Sequence, residues 1–592
     1  MPVTVTRVFD LLKYNLEKFP KEEFISGKIN GTWKKYSTQQ FSDTVDHLSK
    51  GLISLGIAKE SRVAVMSHNR PEWNITDFAI TQIGAYQVPL YPTLAEHDIK
   101  FILENADVSV IFLADEALYN KVKPVCDEVN PAIKIYTFNE VAGADYWMLL
   151  IEAGAKDETT DLETYRAAIT PDDVLTLIYT SGTTGTPKGV MLTHNNLVEI
   201  FKNSAVIFPG NVRRVLSFLP LSHIFERMIT YLYLFTDASL YYAESMETIV
   251  ADIQFVKPNG FSTVPRLLEK VYDKIMEKGK ELTGVKRKIF FWSVALAEQF
   301  EINKGFIYNL KLSIARKLVF KKWKEALGGN IIVIGSGGAA LKPRLARIFW
   351  AAGMPVFEGY GLTETSPVIT VNHFDNTMFG TVGPAINGVE VKIAEDGEVL
   401  TRGHNVMKGY YKRDDLTAET IDADGWFHTG DIGELLDGKF LKITDRKKEI
   451  FKTAGGKYVA PQMLENKYKE STLIEQIMVL GENRKFPSAL IVPNFNTLKA
   501  WCAKKGIEYT SNTEIIKNQQ VLEKFESEIE RGSEDFSKWE RVKRFVLLAE
   551  EWSIEGGEFT PKLSLKRKVI LEKNKDLIEK LYKDAEDYKA VK

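Results

Sequence analysis

Short apolar runs alternate with a helical pattern in the N-terminal part of the chain. Residues 62–66, 86–90, 108–112 and 133–136 have the composition of buried strands, and residues 71–83 have that of a helix. Strand–helix–strand repeats of this kind favour a parallel sheet with helices on both faces. The alternation therefore predicts an α/β fold for the larger part of the chain.

Length and composition set further limits. A chain of 592 residues exceeds what one hydrophobic core supports, so two or more domains are expected. The fractions of 44% hydrophobic and 26% charged residues are typical of a globular protein. A formal net charge of −2 argues against nucleic acid as a partner, since nucleic-acid-binding proteins carry a strong basic excess.

The cysteines and the apolar stretches indicate in which cellular compartment the protein is expected. Cys126 and Cys502 form no CxxC pattern, so neither a disulfide framework nor a zinc site is indicated, and a reducing compartment is expected. Residues 1–10 show no signal-peptide pattern. The most apolar stretch, residues 228–243, is too short to span a bilayer. We therefore expect a cytoplasmic protein.

A loop of small side chains is predicted to follow the buried strand at residues 174–178. Its glycines allow close approach of an anion, its hydroxyls can donate hydrogen bonds, and Lys188 supplies a positive charge. It is not a Walker A loop, because Pro187 precedes the lysine and Gly189 follows it. A surface linker is the alternative, although such a run beside a core strand is rarely only a linker. The residues predicted to hold phosphate are Thr180, Ser181, Gly182, Thr183, Thr184, Gly185, Thr186 and Lys188.

Residues 179–190 resemble the phosphate-loop signature of the adenylate-forming enzymes, the superfamily of acyl-CoA synthetases, luciferases and peptide-synthetase adenylation domains. The resemblance implies an ATP site in which Lys188 is catalytic and Thr184 lies beside a bound Mg²⁺. It also implies a large N-terminal domain of parallel-rich sheets with helices on both faces, followed by a small, mobile α+β C-terminal domain.

His223 lies where a predicted strand and turn lead into a helix. A lone histidine is often structural. The resemblance favours a functional role, because it places His223 in the wall of the carboxylate pocket, beside the phosphates. A carboxylate nucleophile is already ionised at neutral pH, so we expect His223 to position charge rather than to act as a general base.

A second glycine turn follows the predicted strand at residues 331–334. Gly337 and Gly338 lie in this turn. A glycine-rich turn alone is a weak sign of nucleotide binding. Its position upstream of a further motif at residues 357–367 makes nucleotide binding the favoured interpretation.

In residues 357–367 each polar or aromatic side chain suits one part of ATP. The ring of Tyr360, beside Gly361, can stack on adenine, and Thr363 can donate to a phosphoryl oxygen. Glu364 can offer a hard oxygen to Mg²⁺. A structural bend is the alternative, but the segment resembles the adenylating motif almost without interruption, and the resemblance implies the same roles.

Two further motifs, residues 424–433 and 438–449, carry candidate ribose ligands. The carboxylate of Asp431 can accept both ribose hydroxyls, and Arg446 can donate to the ribose or to phosphate. The spacing across residues 425–448 resembles the signature of fatty acyl-CoA synthetases rather than that of luciferases or acetate enzymes. On this resemblance the chain is identified as similar to long-chain fatty acid–CoA ligases.

The resemblance also implies the domain boundary. Residues 1–444 are the expected AMP-binding domain, and residues 445–592 are the expected lid domain, with a hinge near Asp445. In the implied mechanism the small domain swings about Asp445 after adenylate formation and admits the thiol.

The C-terminal segment departs from the family pattern. Members carry a lysine that contacts the reacting carboxylate and the α-phosphate, and Ser564 stands at the expected position, counted from Pro561. In an extended segment Lys562 and Lys566 share a face with Ser564, so either lysine can substitute for the missing one. Lys562 is the preferred candidate.

A helical basic segment at residues 270–327, within the large domain, allows two interpretations. Its basic clusters at residues 286–288 and 321–324 are interleaved with apolar residues 289–292 and 318–320. A pair of surface helices packed on the sheet is the simpler interpretation. The alternative is a basic amphipathic face that contacts an anionic membrane peripherally, at its inner face. The oligomeric state stays open, with a homodimer as one alternative.

Together the motifs predict an acid–thiol ligase that converts a fatty acid, ATP and CoA, with Mg²⁺, into acyl-CoA, AMP and pyrophosphate through an acyl-adenylate. A fatty acyl-AMP ligase or an acyl-carrier-protein acylase is the enzymatic alternative. A non-catalytic lipid or nucleotide sensor is the alternative from another class. Such a sensor is expected to have lost some of the residues Lys188, Glu364, Asp431 and Arg446, and all four are present.

Overall fold

The computed structural model describes residues 4–29, 31–181, 186–553, 556–559 and 565–587. The chain divides into two compact units. The first comprises Met1–Lys392, Leu400–Thr429 and Asp437–Leu441, and the second comprises Ile393–Val399, Gly430–Leu436 and Lys442–Lys592. The expected domain boundary and the hinge near Asp445 remain predictions.

Helices are distributed along the whole of the described chain. They are α1 (Asp10–Lys18), α2 (Thr38–Ser54), α3 (Pro71–Thr81), α4 (Glu96–Ala106), α5 (Glu116–Val129), α6 (Met148–Ala155), α7 (Leu162–Ala167), α8 (His194–Ile207), α9 (Ile224–Phe235), α10 (Ile249–Val256), α11 (Pro265–Glu281), α12 (Gly284–Glu298), α13 (Phe306–Ala315), α14 (Lys321–Ala326), α15 (Pro343–Ala351), α16 (Asp414–Thr420), α17 (Pro461–Tyr468), α18 (Phe495–Lys505), α19 (Asn512–Ile515), α20 (Gln519–Gly532), α21 (Arg567–Lys573) and α22 (Lys575–Asp587). A π-helical turn, Arg316–Phe320, joins α13 to α14, and a 3-10 turn spans Thr363–Thr365.

The strands within the described residues form five sheets. They are β1 (Ile25–Ile29), β2 (Thr32–Tyr36), β3 (Arg62–Met66), β4 (Tyr86–Leu90), β5 (Val110–Leu113), β6 (Lys134–Thr137), β7 (Asp145–Tyr146), β8 (Val174–Ser181), β9 (Pro187–Thr193), β10 (Arg214–Ser217), β11 (Ser239–Tyr242), β12 (Gly260–Thr263), β13 (Val333–Ser336), β14 (Val356–Tyr360), β15 (Thr370–Val371), β16 (Val389–Ile393), β17 (Glu398–Gly403), β18 (Gly409–Tyr410), β19 (Phe427–Leu436), β20 (Phe440–Arg446), β21 (Phe451–Lys452), β22 (Tyr458–Val459), β23 (Ile474–Leu480), β24 (Ser488–Pro493) and β25 (Arg544–Leu547).

Two eight-stranded sheets dominate the first unit. Their strand orders are β15-β14-β13-β12-β10-β11-β1-β2 and β18-β9-β8-β4-β3-β5-β6-β7. The inner strands pair in parallel, while β2, β9, β15 and β18 pair antiparallel with their neighbours. The predicted α/β class with parallel-rich sheets is confirmed.

The second unit has its own α+β core. A three-stranded sheet, in the order β23-β24-β25, pairs antiparallel on one side and in parallel on the other. Its apolar residues pack with α17, α18 and α20. Asp431 and Arg446 also belong to this unit, and they lie on β19 and β20, the last two strands of a four-stranded sheet in the order β16-β17-β19-β20.

A buried ion pair fixes the elements that lead to the candidate site. The guanidinium of Arg227 on α9 pairs with Asp77 on α3, and both side chains are fully buried. Arg227 also donates to the hydroxyl of Thr176 on β8 (2.8 Å), which donates to the carbonyl of Gln87 on β4 (2.7 Å). One guanidinium thus ties two helices to the strand that precedes the predicted phosphate loop.

The predicted phosphate loop differs in part from the structure. The strand at residues 174–178 continues to Ser181, and β9 returns antiparallel from Pro187. Lys188 therefore lies on a strand and not in a loop. The reason is that residues from Pro187 onward pair with β8. The small side chains of residues 179–190 gave no indication of this pairing.

The segment at residues 270–327 is richer in helix than the predicted pair of helices. It contains most of α11, all of α12, α13 and α14, and the π-helical turn. Phe290, Val319 and Phe320, which were expected on an amphipathic face, are buried in the core. No helix in the described ranges combines the length and the apolar character needed to cross a membrane.

Candidate active site

The β8–β9 hairpin presents the lysine of the predicted phosphate loop. Thr180 lies opposite Lys188, and Ser181 lies opposite Pro187, in the antiparallel register. Lys188 is partly buried, and Thr186 is exposed. The remaining predicted phosphate ligands of this loop lie outside the described residues; they are Gly182, Thr183, Thr184 and Gly185.

Tyr410 connects Lys188 to Glu364. The ammonium of Lys188 lies 5.1 Å from the centroid of the Tyr410 ring, within the range of a cation–π interaction. The hydroxyl of Tyr410 donates to Oε1 of Glu364 at 3.0 Å. Burial, and then the carboxylate of Glu364, raise the pKa of Tyr410, so its hydroxyl keeps its proton. A cation and a carboxylate are thus held on two sides of one ring.

Backbone pairing places Tyr410 between these two groups. Strand β18 pairs antiparallel with β9, which carries Lys188. The N–H of Tyr411 donates to the carbonyl of Gly189 (2.8 Å), and the N–H of Met407 donates to the carbonyl of Glu364 (2.9 Å). Because these bonds involve the main chain, the position of Tyr410 is set by the fold rather than by side-chain contacts alone.

The motif at residues 357–367 folds as the end of β14 followed by the 3-10 turn. A Cβ on Gly361 would lie 1.9 Å from the carbonyl oxygen of Pro367, so this position accepts glycine alone. Thr363 is buried within the turn, and Tyr360 at the end of β14 is partly buried. The motif therefore brings its aromatic, hydroxyl and carboxylate groups together around one tight bend.

His223 caps the N-terminus of α9. Its Nδ1 accepts the N–H of Phe225 at 3.0 Å, so in the neutral ring the proton lies on Nε2. A Cβ on Gly337 would lie 3.3 Å from the ring of Phe225, and Gly338 has a φ of +79°. The glycine turn and the start of α9 therefore pack closely, as two of the predicted site segments.

Two buried carboxyl groups hold these segments in place. Burial raises the pKa of Glu358 to about 8, and the N–H of Leu341, which donates to it at 3.0 Å, offsets this only in part. Burial raises the pKa of Glu226 to about 7, although the hydroxyls of Ser217 and Ser262 both donate to it. The first group ties β14 to the end of the glycine turn, and the second ties α9 to β10 and β12.

In the second unit the structure brings Asp431 and Arg446 together. Nε of Arg446 lies 3.4 Å from Oδ1 of Asp431; the carboxylate side chain is 7% exposed and the guanidinium side chain is 53% exposed. Asp445, next to them, is buried and accepts the N–H groups of Arg446 (2.6 Å) and Gln462 (3.0 Å). Burial raises the pKa of Asp445 to about 7. Asp445 thus fastens the end of β20 to the first turn of α17.

The candidate C-terminal lysines are only partly described. Lys562 and Ser564 lie outside the described residues. Lys566 is exposed, and its N–H donates to the carbonyl of Glu558 at 2.7 Å. The choice between Lys562 and Lys566 stays a prediction.

Models of known families match both parts of the chain. The AMP-binding enzyme model matches residues 12–411, and the model of the AMP-binding enzyme C-terminal domain matches residues 449–586. This chain belongs to the AMP-binding enzyme family.

Relatives within the AMP-binding family extend over nearly the whole chain. The chain is 33% identical to the long-chain-fatty-acid–CoA ligase FadD15 of Mycobacterium bovis, over 94% of this chain and 93% of that protein. It is 34% identical to the long-chain-fatty-acid–CoA ligase 6 of Mus musculus, over 93% of this chain and 82% of that protein. The solved structure of the anthranilate CoA ligase AuaEII with anthranoyl-AMP superposes with a TM-score of 0.72 at 16% identity, covering 99% of both chains, and shows the shared fold. The resemblance to long-chain fatty acid–CoA ligases is confirmed.

The carboxylates of this AMP-binding enzyme are relevant to the predicted Mg²⁺. Within the described ranges, no three His, Cys, Asp or Glu side chains group as a metal site. Mg²⁺ in nucleotide sites is commonly held by one or two carboxylates together with the phosphates. Glu364 stays the predicted carboxylate ligand, and its Oε1 accepts the hydrogen bond from Tyr410.

Sequence reasoning missed Tyr410, Glu358 and Glu226. Tyr410 follows a glycine in an unremarkable polar stretch, and only the long-range pairing of β18 with β9 gives it a place in the site. Glu358 and Glu226 lie inside motifs that were recognised, but their burial is a tertiary property. A carboxylate directly after the apolar residues Pro355, Val356 and Phe357 was the one available signal for Glu358.

Proposed function

We propose that this AMP-binding enzyme activates a long-chain fatty acid to its CoA thioester. In the first step the carboxylate oxygen attacks the α-phosphorus of ATP, and pyrophosphate leaves. In the second step the CoA thiol attacks the acyl carbonyl, loses its proton, and AMP leaves. Identity of about one third with long-chain-fatty-acid–CoA ligases over more than nine tenths of the chain supports this proposal.

The observation that carries the phosphate chemistry is the arrangement around Tyr410. Lys188 and Glu364 belong to motifs far apart in sequence, yet both contact this ring. In the proposed step Lys188 neutralises charge that develops on the departing pyrophosphate. Thr363 donates to a phosphoryl oxygen, and the loop residues Thr180 to Thr186 supply further donors.

Glu364, with Thr184, is proposed to hold Mg²⁺ brought in with ATP. When bound, the ion withdraws charge from the phosphate oxygens and so eases the departure of pyrophosphate. The protein's own task here is to orient the Glu364 carboxylate. The Tyr410 hydrogen bond serves that task, because it holds one oxygen of the carboxylate in place.

The remaining site residues are proposed to bind the other parts of the substrates. Tyr360 stacks on adenine, and Asp431 with Arg446 binds the ribose. His223, whose neutral ring carries its proton on Nε2, donates to the fatty carboxylate. Lys562 is proposed to contact the same carboxylate in place of the lysine usual in the family.

The proposal also covers the substrates, the cellular location and the oligomeric state of the enzyme. The expected substrates are a fatty acid, ATP and CoA, and nucleic acid is not an expected partner. A cytoplasmic location, with peripheral contact at the inner face of the membrane, is part of the proposal. The oligomeric state is left open.

Release of AMP from ATP, measured with fatty acids from about C8 to C20 and with and without CoA, tests this function. We expect AMP release that depends on both a long-chain acid and CoA. AMP release without CoA, or with a carrier protein in its place, would instead indicate the fatty acyl-AMP ligase or carrier-protein acylase. Activity confined to acetate or aryl acids would overturn the substrate assignment.

A further inference from the structure

One exposed helix face carries five large apolar side chains. Phe306, Leu310, Ile314 and Leu318 recur at intervals of four residues along α13 and the π-helical turn, and Ile307 lies beside them. Residues at this interval lie on one face of a helix. Phe306 is 83% exposed, Ile307 is 70% exposed, and the other three are each about half exposed. These five residues are called the apolar stripe.

The apolar stripe is not the packing face of its helix. Leu312, Ala315 and Val319 on the opposite side are buried in the core of the first unit. Tyr308 donates its hydroxyl to the carbonyl of Leu296 on α12 at 2.8 Å. The helix is therefore already anchored and presents the apolar stripe outward as a fixed surface. Exposed apolar patches of this kind mark interaction sites on proteins.

The stretch of chain that carries the apolar stripe has charges of one sign. No Asp or Glu occurs from residue 302 to residue 324. Seven basic residues occur there: Lys304, Lys311, Arg316, Lys317, Lys321, Lys322 and Lys324. Within the part of the chain that the structure describes, Lys311, Lys317 and Lys322 pair with no carboxylate.

This combination selects one class of partner. An apolar centre with unpaired lysines around it matches the acyl and headgroup layers of an anionic bilayer. A second copy of the chain on a twofold axis would place the same basic surface against itself, which like-charge repulsion opposes. Nucleic acid would match the lysines but not the five apolar side chains.

We propose that the apolar stripe is a membrane-docking surface that inserts into the headgroup boundary of an anionic bilayer, with the surrounding lysines on the lipid phosphates. The apolar stripe is thus the surface by which the enzyme would make the membrane contact in the proposed function. The proposal rests on that function, because a long-chain fatty acid, the proposed substrate, partitions into bilayers. The docking residues are distinct from the basic cluster at residues 286–288 and from buried residues 319–320.

Co-sedimentation of the full chain with vesicles tests the proposal. Vesicles of phosphatidylcholine alone are compared with vesicles that contain phosphatidylglycerol. The variant Ile307→Gln/Leu310→Gln is compared with Val206→Gln/Val250→Gln, which changes two similarly exposed apolar residues away from the stripe. We expect binding to anionic vesicles, weakened at least about tenfold by the first variant and unchanged by the second. Lys311→Gln/Lys317→Gln is expected to weaken binding and to reduce its dependence on salt.

Three results would overturn the proposal. The first is equal vesicle binding by the two double variants. The second is no binding by the natural chain to anionic vesicles. The third is a dimer in sedimentation equilibrium that Ile307→Gln/Leu310→Gln dissociates, which would assign the stripe to a second copy.

The test separates this surface from the ligase activity. Vesicle binding is measured without ATP, CoA or acid, so it does not depend on catalysis. Activity on hexadecanoate without vesicles is expected to be the same in the natural chain and in Ile307→Gln/Leu310→Gln. A failure of the proposed function would leave the vesicle results intact, and a failure of the docking surface would leave the activity on hexadecanoate intact.

Discussion

Tyr410 contacts both of the charged residues, Lys188 and Glu364, that are proposed to act on the phosphates of ATP. Its ring face contacts the ammonium of Lys188, and its hydroxyl donates to Glu364. A hydrogen bond to a charged acceptor contributes more than one between neutral groups. Tyr410 is therefore a positioning residue for both the cation and the carboxylate.

Replacement of Tyr410 by phenylalanine keeps the ring and removes the donor. We expect kcat/KM for ATP in pyrophosphate exchange to fall about tenfold, with a higher Mg²⁺ requirement, because Glu364 loses a hydrogen bond to its charged form. The matched control is Tyr411→Phe, at the adjacent residue. Unchanged kcat/KM and Mg²⁺ dependence in Tyr410→Phe would rule out this positioning role.

Glu358 makes the stability of the protein depend on pH. Folding raises its pKa from 4.5 to about 8, so the folded state holds the proton more tightly than the unfolded chain. The stability linked to this group is therefore greatest below pH 4.5 and decreases as the pH rises towards 8. Above pH 8 the Glu358 carboxylate is charged in the folded state, and its burial lowers the free energy of unfolding by a constant amount.

The variant Glu358→Gln removes this titration and keeps an acceptor for the N–H of Leu341. Between pH 7 and 9 we expect the free energy of unfolding of the natural chain to fall by about 1 kcal/mol more than that of the variant. Urea unfolding at the two pH values measures the difference. The control is Glu277→Gln at an exposed position. Parallel behaviour of all three proteins would show that Glu358 does not titrate in this range.

At the scale of helices and strands, the buried pair of Arg227 and Asp77 determines how the site elements are arranged. Both charges are withdrawn from water, and each is compensated mainly by the other. Removing one partner leaves an uncompensated buried charge, whereas removing both leaves none. The pair joins α9, which His223 caps, to α3, and Arg227 also joins α9 to β8, which leads to the predicted phosphate loop.

Arg227→Met is expected to lower the free energy of unfolding by roughly 3–5 kcal/mol. The double variant Arg227→Met/Asp77→Leu is expected to be more stable than either single variant, because no lone charge remains buried. Arg213→Met, which removes a surface pair with Asp237, is expected to change stability by less than about 1 kcal/mol. Urea unfolding compares the natural chain with the two single variants, Arg227→Met and Asp77→Leu, the double variant and Arg213→Met. A double variant less stable than Arg227→Met would contradict this explanation.

A helix or strand can be predicted from the sequence when the pattern that forms it lies within its own residues. Strands at residues 62–66 and 86–90 have the predicted bounds, because an apolar run between turns is a local pattern. The strand predicted at residues 108–112 begins at Val110, since Asp107 ends the preceding helix in a left-handed conformation. Strand β9 was not predicted, because the feature that makes it a strand is its pairing with β8, which the local sequence does not show.

The same limit applies to the candidate site. Motifs located Lys188, Thr363, Glu364, Asp431 and Arg446, and the structure places the first three in one unit and the last two in the other. The contact of Tyr410 with Lys188 and Glu364, within the first unit, comes from pairing between distant segments. The apolar stripe was missed for another reason: α13 has apolar residues on two faces, and periodicity does not tell which face is buried.

At the scale of the whole molecule, two units with separate cores carry the two groups of site residues. The family models match both parts, and the long-chain-fatty-acid–CoA ligase relatives extend over both. The residues proposed to bind phosphate lie in the first unit, and the residues proposed to bind ribose lie in the second. The identity of the reaction is therefore a property of the full chain, and its test uses the full chain.

The path of the carboxylate oxygen distinguishes an acyl-adenylate from other ways of activating an acid. Hexadecanoic acid labelled with ¹⁸O in both carboxyl oxygens is converted with ATP, CoA and Mg²⁺, and the products are analysed by mass spectrometry. We expect one labelled oxygen in each AMP and one in each acyl-CoA, because the attacking oxygen stays on the α-phosphorus when the thiol displaces AMP. Label in inorganic phosphate with formation of ADP, or AMP without label, would contradict the proposed reaction.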